Sequence, residues 1–306
     1  MKILAHKTAA VTGAASGIGR ALALNMAGEG CNLALADIDE PGLKETARLA
    51  GGTVNISIHV VDVAQRDQVF GFAEEAARHH GGVDLVINNA GVALGDFLET
   101  VPMEDFQWLF GINFWGVVHG TMAFLPHLRK QPEGHIVNIS SINGIIPNPN
   151  NGPYCAAKFA VKGYTETLAQ EMHGTNIRVS CVHPGGIKTN IARNTRFNRA
   201  MFSLTREKAV SLYEDELFRT TADQAAKVIV AGIRRNRRRI LIGADAKVLD
   251  LLTRFFPVTA VSLSCLASRF VARSYAQEKK QEGTAWQIEP GTTYGKIVPE
   301  ESEEDV

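Results

Sequence analysis

The sequence predicts an α/β fold: one domain built on a doubly wound, mostly parallel sheet, with a helical extension at its C-terminal end. Three observations point there. Short apolar runs alternate with amphipathic segments from residue 8 to residue 243. Some of these runs, such as 83–87, are apolar but for a single residue, Asp84, as in strands buried on both faces. A glycine-rich turn also separates the first apolar run from the first helical segment, and it reads Thr12-Gly13-Ala14-Ala15-Ser16-Gly17-Ile18-Gly19. Such a turn lets backbone approach a phosphate at a helix N-terminus.

The elements follow in order. A strand over Thr8–Val11 enters the glycine-rich turn, and a helix starts near Gly17. The strand over Asn32–Ala36 ends at Asp37, where an acid meets the ribose hydroxyls of a bound dinucleotide and repels a 2′-phosphate. Ile38 follows, not an arginine, so NAD is expected over NADP. A helix over 41–50 leads to a strand over 54–60 and to Asp62; a helix over 65–80 leads to strand 83–87 and Asn88-Asn89. A long helix over 104–129 carries Asn113, a poor helix former able to disturb the backbone ladder. Strand 135–140 delivers Ser140 and Ser141 to the carboxyl edge of the sheet, where ligands bind in open α/β folds. Adjacent strand residues face opposite ways, so only one of the two serines faces a site. The loop Ile142–Pro153 is rich in Asn, Pro and Gly and is expected to line a cleft. A helix over 154–173, a strand over 176–182, a helix over 222–234 and a last strand over 239–243 complete the domain.

The helix after that loop brings the chemistry. Pro153 suits a first helical turn, which puts Tyr154 near a helix N-terminus with Lys158 one turn on. A neighbouring ammonium and the positive helix end both favour phenolate, so this reading expects the Tyr154 pKa to fall toward the working range.

On these motifs the chain resembles the short-chain dehydrogenases/reductases over roughly residues 5–243. Thr12 to Gly19 matches T-G-x-x-x-G-x-G, and Asp62-Val63 matches the acidic pair at the adenine ring. Asn88-Asn89-Ala90-Gly91 matches N-N-A-G. Asn113, Ser141, Tyr154 and Lys158 match the catalytic tetrad, and Pro184-Gly185 with Thr189 matches P-G-x-x-x-T on the nicotinamide side. The resemblance implies a Rossmann fold and an NAD(P)-dependent oxidoreductase that interconverts an alcohol and its ketone or aldehyde. It also selects Ser141 over Ser140. Tyr154 would exchange the proton, Lys158 would lower its pKa and hold ribose hydroxyls, and Ser141 would bond the substrate oxygen. Asn113 would hold a helix distortion and a water. Cofactor contacts would come from Gly13, Ser16, Gly17, Ile18, Gly19, Asp37, Asp62, Val63, Asn89, Ala90, Gly91, Tyr154, Lys158, Pro184, Gly185, Ile187 and Thr189. A homodimer or homotetramer is the implied assembly.

Composition bounds the rest. The 306 residues balance 32 Lys and Arg against 32 Asp and Glu, so no global charge suggests nucleic acid. Cys31, Cys155, Cys181 and Cys265 are widely spaced and fit thiols of a reducing compartment. The histidines have no metal-ligand spacing, so no metal is expected. No signal peptide is read, and a cytoplasmic location is expected, with peripheral membrane contact as a further reading.

The catalytic domain is expected over 1–245, with a substrate lid over about 187–218 whose best apolar contacts are Phe197, Met201, Phe202 and Leu204. Phe97, Leu94, Ile145 and Ile146 are expected to add to an apolar pocket, so the substrate would be a small hydrophobic alcohol or carbonyl compound. The basic run Arg234 to Arg239 reads as a solvated helix end, with an acidic surface as the sharper alternative. Residues 246–274 form an apolar extension. Its uncharged stretch Phe255–Ser268 is shorter than the about twenty residues of a spanning helix, and Pro257 breaks it. Docking beside the cleft, dimer contact and interfacial anchoring through 246–273 are its three readings. Residues 275–306 are polar and end in an acidic run, as in a disordered tail. A dinucleotide-binding regulator without turnover is the alternative function, and a sugar-nucleotide epimerase a weaker one.

Overall fold

The computed structural model describes residues 1–189, 191, 195–197, 220–266, 286–288 and 297–299. Strand β1 (Thr8–Thr12), helix α1 (Gly17–Gly28), β2 (Asn32–Asp37), α2 (Glu40–Ala50), β3 (Ile56–Val60), α3 (Arg66–His80) and β4 (Leu85–Asn88) make the first half. After the two-residue strand β5 (Leu94–Gly95) come α4 (Met103–Phe110), a π-turn at Gly111–Trp115, α5 (Gly116–Arg129), β6 (Gly134–Ile139) and α6 (Gly152–Glu171). The chain continues through β7 (Ile177–Pro184), β8 (Ile187–Lys188), β9 (Arg196–Phe197), β10 (Thr220–Thr221), α7 (Ala222–Arg234), β11 (Arg239–Ile242) and α8 (Ala244–Phe255). A last apolar helix, α9, spans Pro257–Leu266.

Seven strands pair in parallel in the order β11-β7-β6-β4-β1-β2-β3. Winding reverses between β1 and β4, and the crevice outside their carboxyl ends is where such folds take ligands. The continuous apolar runs have a simple cause. In β1, Ala9 and Val11 face a core shared with α1, α2 and α7, while Ala10 faces a second core shared with α3, α5 and α6. β2 and β4 divide in the same way: Leu33, Leu35, Leu85 and Ile87 go to one side, Ala34, Ala36 and Val86 to the other. A strand sandwiched between two helical layers has no polar face to spare.

The helix expected over 104–129 is continuous, but it carries a π-turn centred on Asn113. Asn113 is fully buried. Its Oδ1 accepts from the Val92 N–H (2.8 Å), and its Nδ2 donates to the Val92 carbonyl (2.9 Å). The side chain thus satisfies loop backbone that no strand pairs, and the extra residue in the turn aims it there.

Helix α8 lies on β11 through Asp250, which is buried and pairs with both Arg239 and Arg254. The break at Phe256 falls just before Pro257, as expected. α9 docks by one side only. Ala260 is buried, and Ser264 Oγ donates to the Pro147 carbonyl (3.3 Å) and to Asn148 Oδ1 (3.1 Å), while Val258, Leu263 and Leu266 remain exposed. Most of the expected lid, including Met201, Phe202 and Leu204, lies outside the described residues; Phe197 falls in β9, which pairs with β5. Within the polar tail, Trp286–Ile288 pairs antiparallel with Ile297–Pro299.

Candidate active site

A cleft of about 650 Å³ opens at the carboxyl edge of the sheet. Its first end is made of backbone. Gly13 and Gly17 hold φ at +67° and +53°, a region costly for any residue with a Cβ. A Cβ on Gly13 would come within 2.8 Å of the Ala90 Cα, so the turn rests on the Asn89-Ala90 backbone. Thr12 ties the two together: its Oγ1 accepts from the N–H groups of Asn89 (3.0 Å) and Ala90 (3.1 Å). Asn89 Nδ2 returns a bond to the Thr12 carbonyl (2.9 Å).

Ser16 is the N-cap of α1 and makes no side-chain capping bond. The first N–H groups of the helix face the same space without helical partners. Asp37 braces the turn by accepting from the Ala15 N–H (3.0 Å), and Asp62 accepts from the Ala64 N–H (3.0 Å); both line the cleft. These residues fit a dinucleotide. Glycines leave room for a phosphate to approach backbone, the helix end offers donors, and two carboxylates, Asp37 and Asp62, stand in the cleft as acceptors.

The second end is made of side chains on α6 and two loops. Ser141 Oγ accepts from the Asn143 N–H (3.1 Å) and shares a hydrogen bond with the Tyr154 hydroxyl. Ser140 is buried and turns the other way, its hydroxyl donating to the Lys158 carbonyl (2.8 Å), which pins α6 to the sheet. Lys158 Nζ donates to the Ile139 carbonyl (3.0 Å) and lies 5.6 Å from the centre of the Tyr154 ring. Burial pushes Lys158 down to about 8 and Tyr154 up to about 12, the latter opposed by the Ser141 hydrogen bond.

The expected fall in the Tyr154 pKa is therefore corrected. Helical spacing brings the ammonium to within 5.6 Å of the ring centre, but burial of the phenol is the largest influence on it and raises its pKa. Cys155, the next residue, points away, accepting from the Asn148 N–H (3.4 Å), and burial raises its thiol.

Of the residues expected at the cofactor, Gly13, Ser16, Gly17, Ile18, Asp37, Asp62, Val63, Asn89, Ala90, Gly91, Tyr154, Lys158, Pro184, Gly185, Ile187 and Thr189 all line the cleft, as does Ser141. Gly19 does not. It is buried beneath the turn, where a Cβ would collide with the Gly13 carbonyl, so its glycine serves packing. Asn113 stands behind the wall, on Val92. The apolar pocket also needs correcting: Leu94, Phe97, Ile145 and Ile146 do not line the cleft. Leu94 belongs to a small core with Leu109 and Ala157, while its neighbours Ala93 and Gly95 face the cleft, as strand alternation requires. The apolar wall is instead Val92, Ala93, Ile142, Ile187, Ile191 and Leu249.

Sequence reading also missed His183. It is fully buried behind the site, bonded through Nδ1 to the Ser141 carbonyl (3.1 Å), and burial lowers it to about 4, so its ring is neutral. Its place on a strand beside Pro184 was the one available signal. Among the described residues, no three His, Cys, Asp or Glu side chains group to hold a metal.

The sequence model of short chain dehydrogenases matches residues 7–200. The chain belongs to the short-chain dehydrogenases/reductases. As a member of that family it is an oxidoreductase with a Rossmann-like fold. It is 42% identical over 255 residues to SadH of Mycobacterium tuberculosis, covering 81% of this chain and 90% of that protein. A short-chain dehydrogenase/reductase from Burkholderia phymatum, solved in complex with NAD, superposes with a TM-score of 0.77 at 31% identity, covering 83% of this chain and 95% of the other. A short-chain dehydrogenase from Mycobacterium paratuberculosis bound to NAD gives 0.68 at 27% identity, covering 78% and 97%.

Proposed function

We propose that this oxidoreductase uses NAD(H) to interconvert a hydrophobic alcohol and its ketone or aldehyde, with Tyr154 as the proton-transferring group. The observation that carries the reading is the joint placement of Tyr154, Ser141 and Lys158 in the same cleft as the glycine-rich turn and Asp37. A bound nicotinamide would supply or accept the hydride.

The chain's own residues do the rest. A substrate oxygen between Tyr154 and Ser141 receives hydrogen bonds from both hydroxyls, which stabilise negative charge as it develops. Because burial keeps Tyr154 protonated at neutral pH, the phenol is set to give its proton to that oxygen as a carbonyl is reduced. In oxidation the phenolate takes the proton back. Lys158, cationic below about pH 8, offsets the phenolate charge and offers its remaining N–H groups to ribose hydroxyls. Val92, Ala93, Ile142, Ile191 and Leu249 support an apolar substrate body and keep water from the reacting atoms. Asp37 followed by Ile38 supports NAD over NADP.

The test is consumption of NADH and NADPH over a panel of hydrophobic ketones and aldehydes. NADH-linked reduction of apolar members is the expected result. Turnover confined to NADPH, or to charged substrates, would contradict the corresponding part of the reading.

A further inference from the structure

An acid in the first turn of a helix ordinarily serves that helix, by meeting its unpaired N–H groups and its dipole. Asp245 is in the first turn of α8, but its carboxylate is used elsewhere. Oδ2 accepts from the Gly186 N–H at 2.8 Å, a contact spanning 59 positions of sequence. The carboxylate lies directly against two glycine α-carbons, since a Cβ on either Gly185 or Gly243 would collide with it. Gly243 holds φ at +95°, which turns the chain out of β11 so that α8 starts over the end of β7.

Backbone bonds hold the rest of that turn. The Gly185 N–H donates to the Ile242 carbonyl (2.9 Å), and the Gly186 carbonyl accepts from the Thr220 N–H (3.4 Å). Asp245 supplies the side-chain bond that fixes the Gly186 N–H. Asp245 and Leu249, one helical turn apart, both line the cleft.

We propose that Asp245 is a positioning residue. It fixes the Pro184–Ile187 turn and so couples the C-terminal extension to the nicotinamide end of the cleft, leaving the adenosine end untouched. This rests on the dinucleotide reading above. The adenosine end is held independently, by Gly13, Asp37 and Asp62 across the switch point.

Calorimetric titration tests the coupling with two ligands: NAD, and ADP-ribose, which has no nicotinamide. For D245A the NAD Kd is expected to rise about fivefold while the ADP-ribose Kd stays within about twofold of wild type, the loss expected for one partly exposed hydrogen bond. D245N retains an oxygen that accepts the same N–H, and its NAD Kd is expected within about twofold of wild type. Unchanged ADP-ribose binding also reports that the variant is folded. Equal weakening of both ligands, or no change in either, overturns the assignment. A wild-type protein that binds neither ligand overturns the dinucleotide reading and this assignment with it, so the wild-type titration tells the two failures apart.

Discussion

The two ends of the cleft are held by different parts of the chain. The glycine-rich end is a backbone structure: Gly13 and Gly17 in left-handed geometry, Thr12 bonded to the Asn89 and Ala90 N–H groups, and a helix N-terminus. The other end is a side-chain structure on Ser141, Tyr154 and Lys158, walled by residues from the segment after β4, the turn after β7 and α8. Backbone sites tolerate few residue types, because a Cβ in the wrong place collides. Side-chain sites accept many residues wherever the chemistry allows, so they carry specificity.

That contrast predicts that damage at one end spares the other. The largest effect on stability and dinucleotide binding is expected at Gly19. Gly19→Ala drives a Cβ into the Gly13 carbonyl, so thermal melting should report a loss of about 1–3 kcal/mol, and dinucleotide affinity should fall about tenfold to a hundredfold with it. Gly28, where a Cβ would meet nothing within 4 Å, is the control and should tolerate Ala.

A pH profile probes the other end. Lys158 sits at about 8 and Tyr154 at about 12. Reduction needs the phenol protonated and the ammonium charged, and both hold at neutral pH. The kcat/KM for ketone reduction should be level up to about pH 8 and fall by about tenfold per unit above it, as Lys158 loses its proton. A fall that already sets in below pH 7 would show that Tyr154 loses its proton near neutrality and would contradict the buried, protonated phenol.

Asp37→Ser combined with Ile38→Arg should move the ratio of NADPH to NADH affinity by about tenfold or more, since the variant removes a repelling carboxylate and adds a cation for the 2′-phosphate. Turnover with saturating dinucleotide should hardly change. The smallest effect is expected from Leu249→Ala, a threefold or so rise in KM for bulky substrates, about the worth of a lost apolar contact.

The same contrast explains what could be read in the sequence. The sheet was legible because β1, β2 and β4 are apolar on both faces, and the glycine-rich turn because only glycine fits it. Asn113 was legible as a helix disturbance because asparagine is a poor helix former, though its bonds to Val92 were not. Leu94, Phe97, Ile145 and Ile146 were misread as pocket residues because hydrophobicity does not say which side of a short strand or loop a residue takes. The Tyr154 pKa was misjudged because residue spacing gives neighbours but not desolvation. Leu249 falls in the extension for which docking beside the cleft was one of three readings, but Asp245 was not found: its place in the cleft depends on how α8 folds back after β11, which no local pattern encodes.

The most direct test uses one preparation of Tyr154→Phe, measuring dinucleotide Kd by titration and turnover with the best carbonyl substrate of the panel. If the two ends are separable and Tyr154 moves the proton, Kd stays within about twofold of wild type while turnover falls by about 10²–10⁴-fold. Full turnover, or a Kd that collapses together with turnover, would contradict that division of labour.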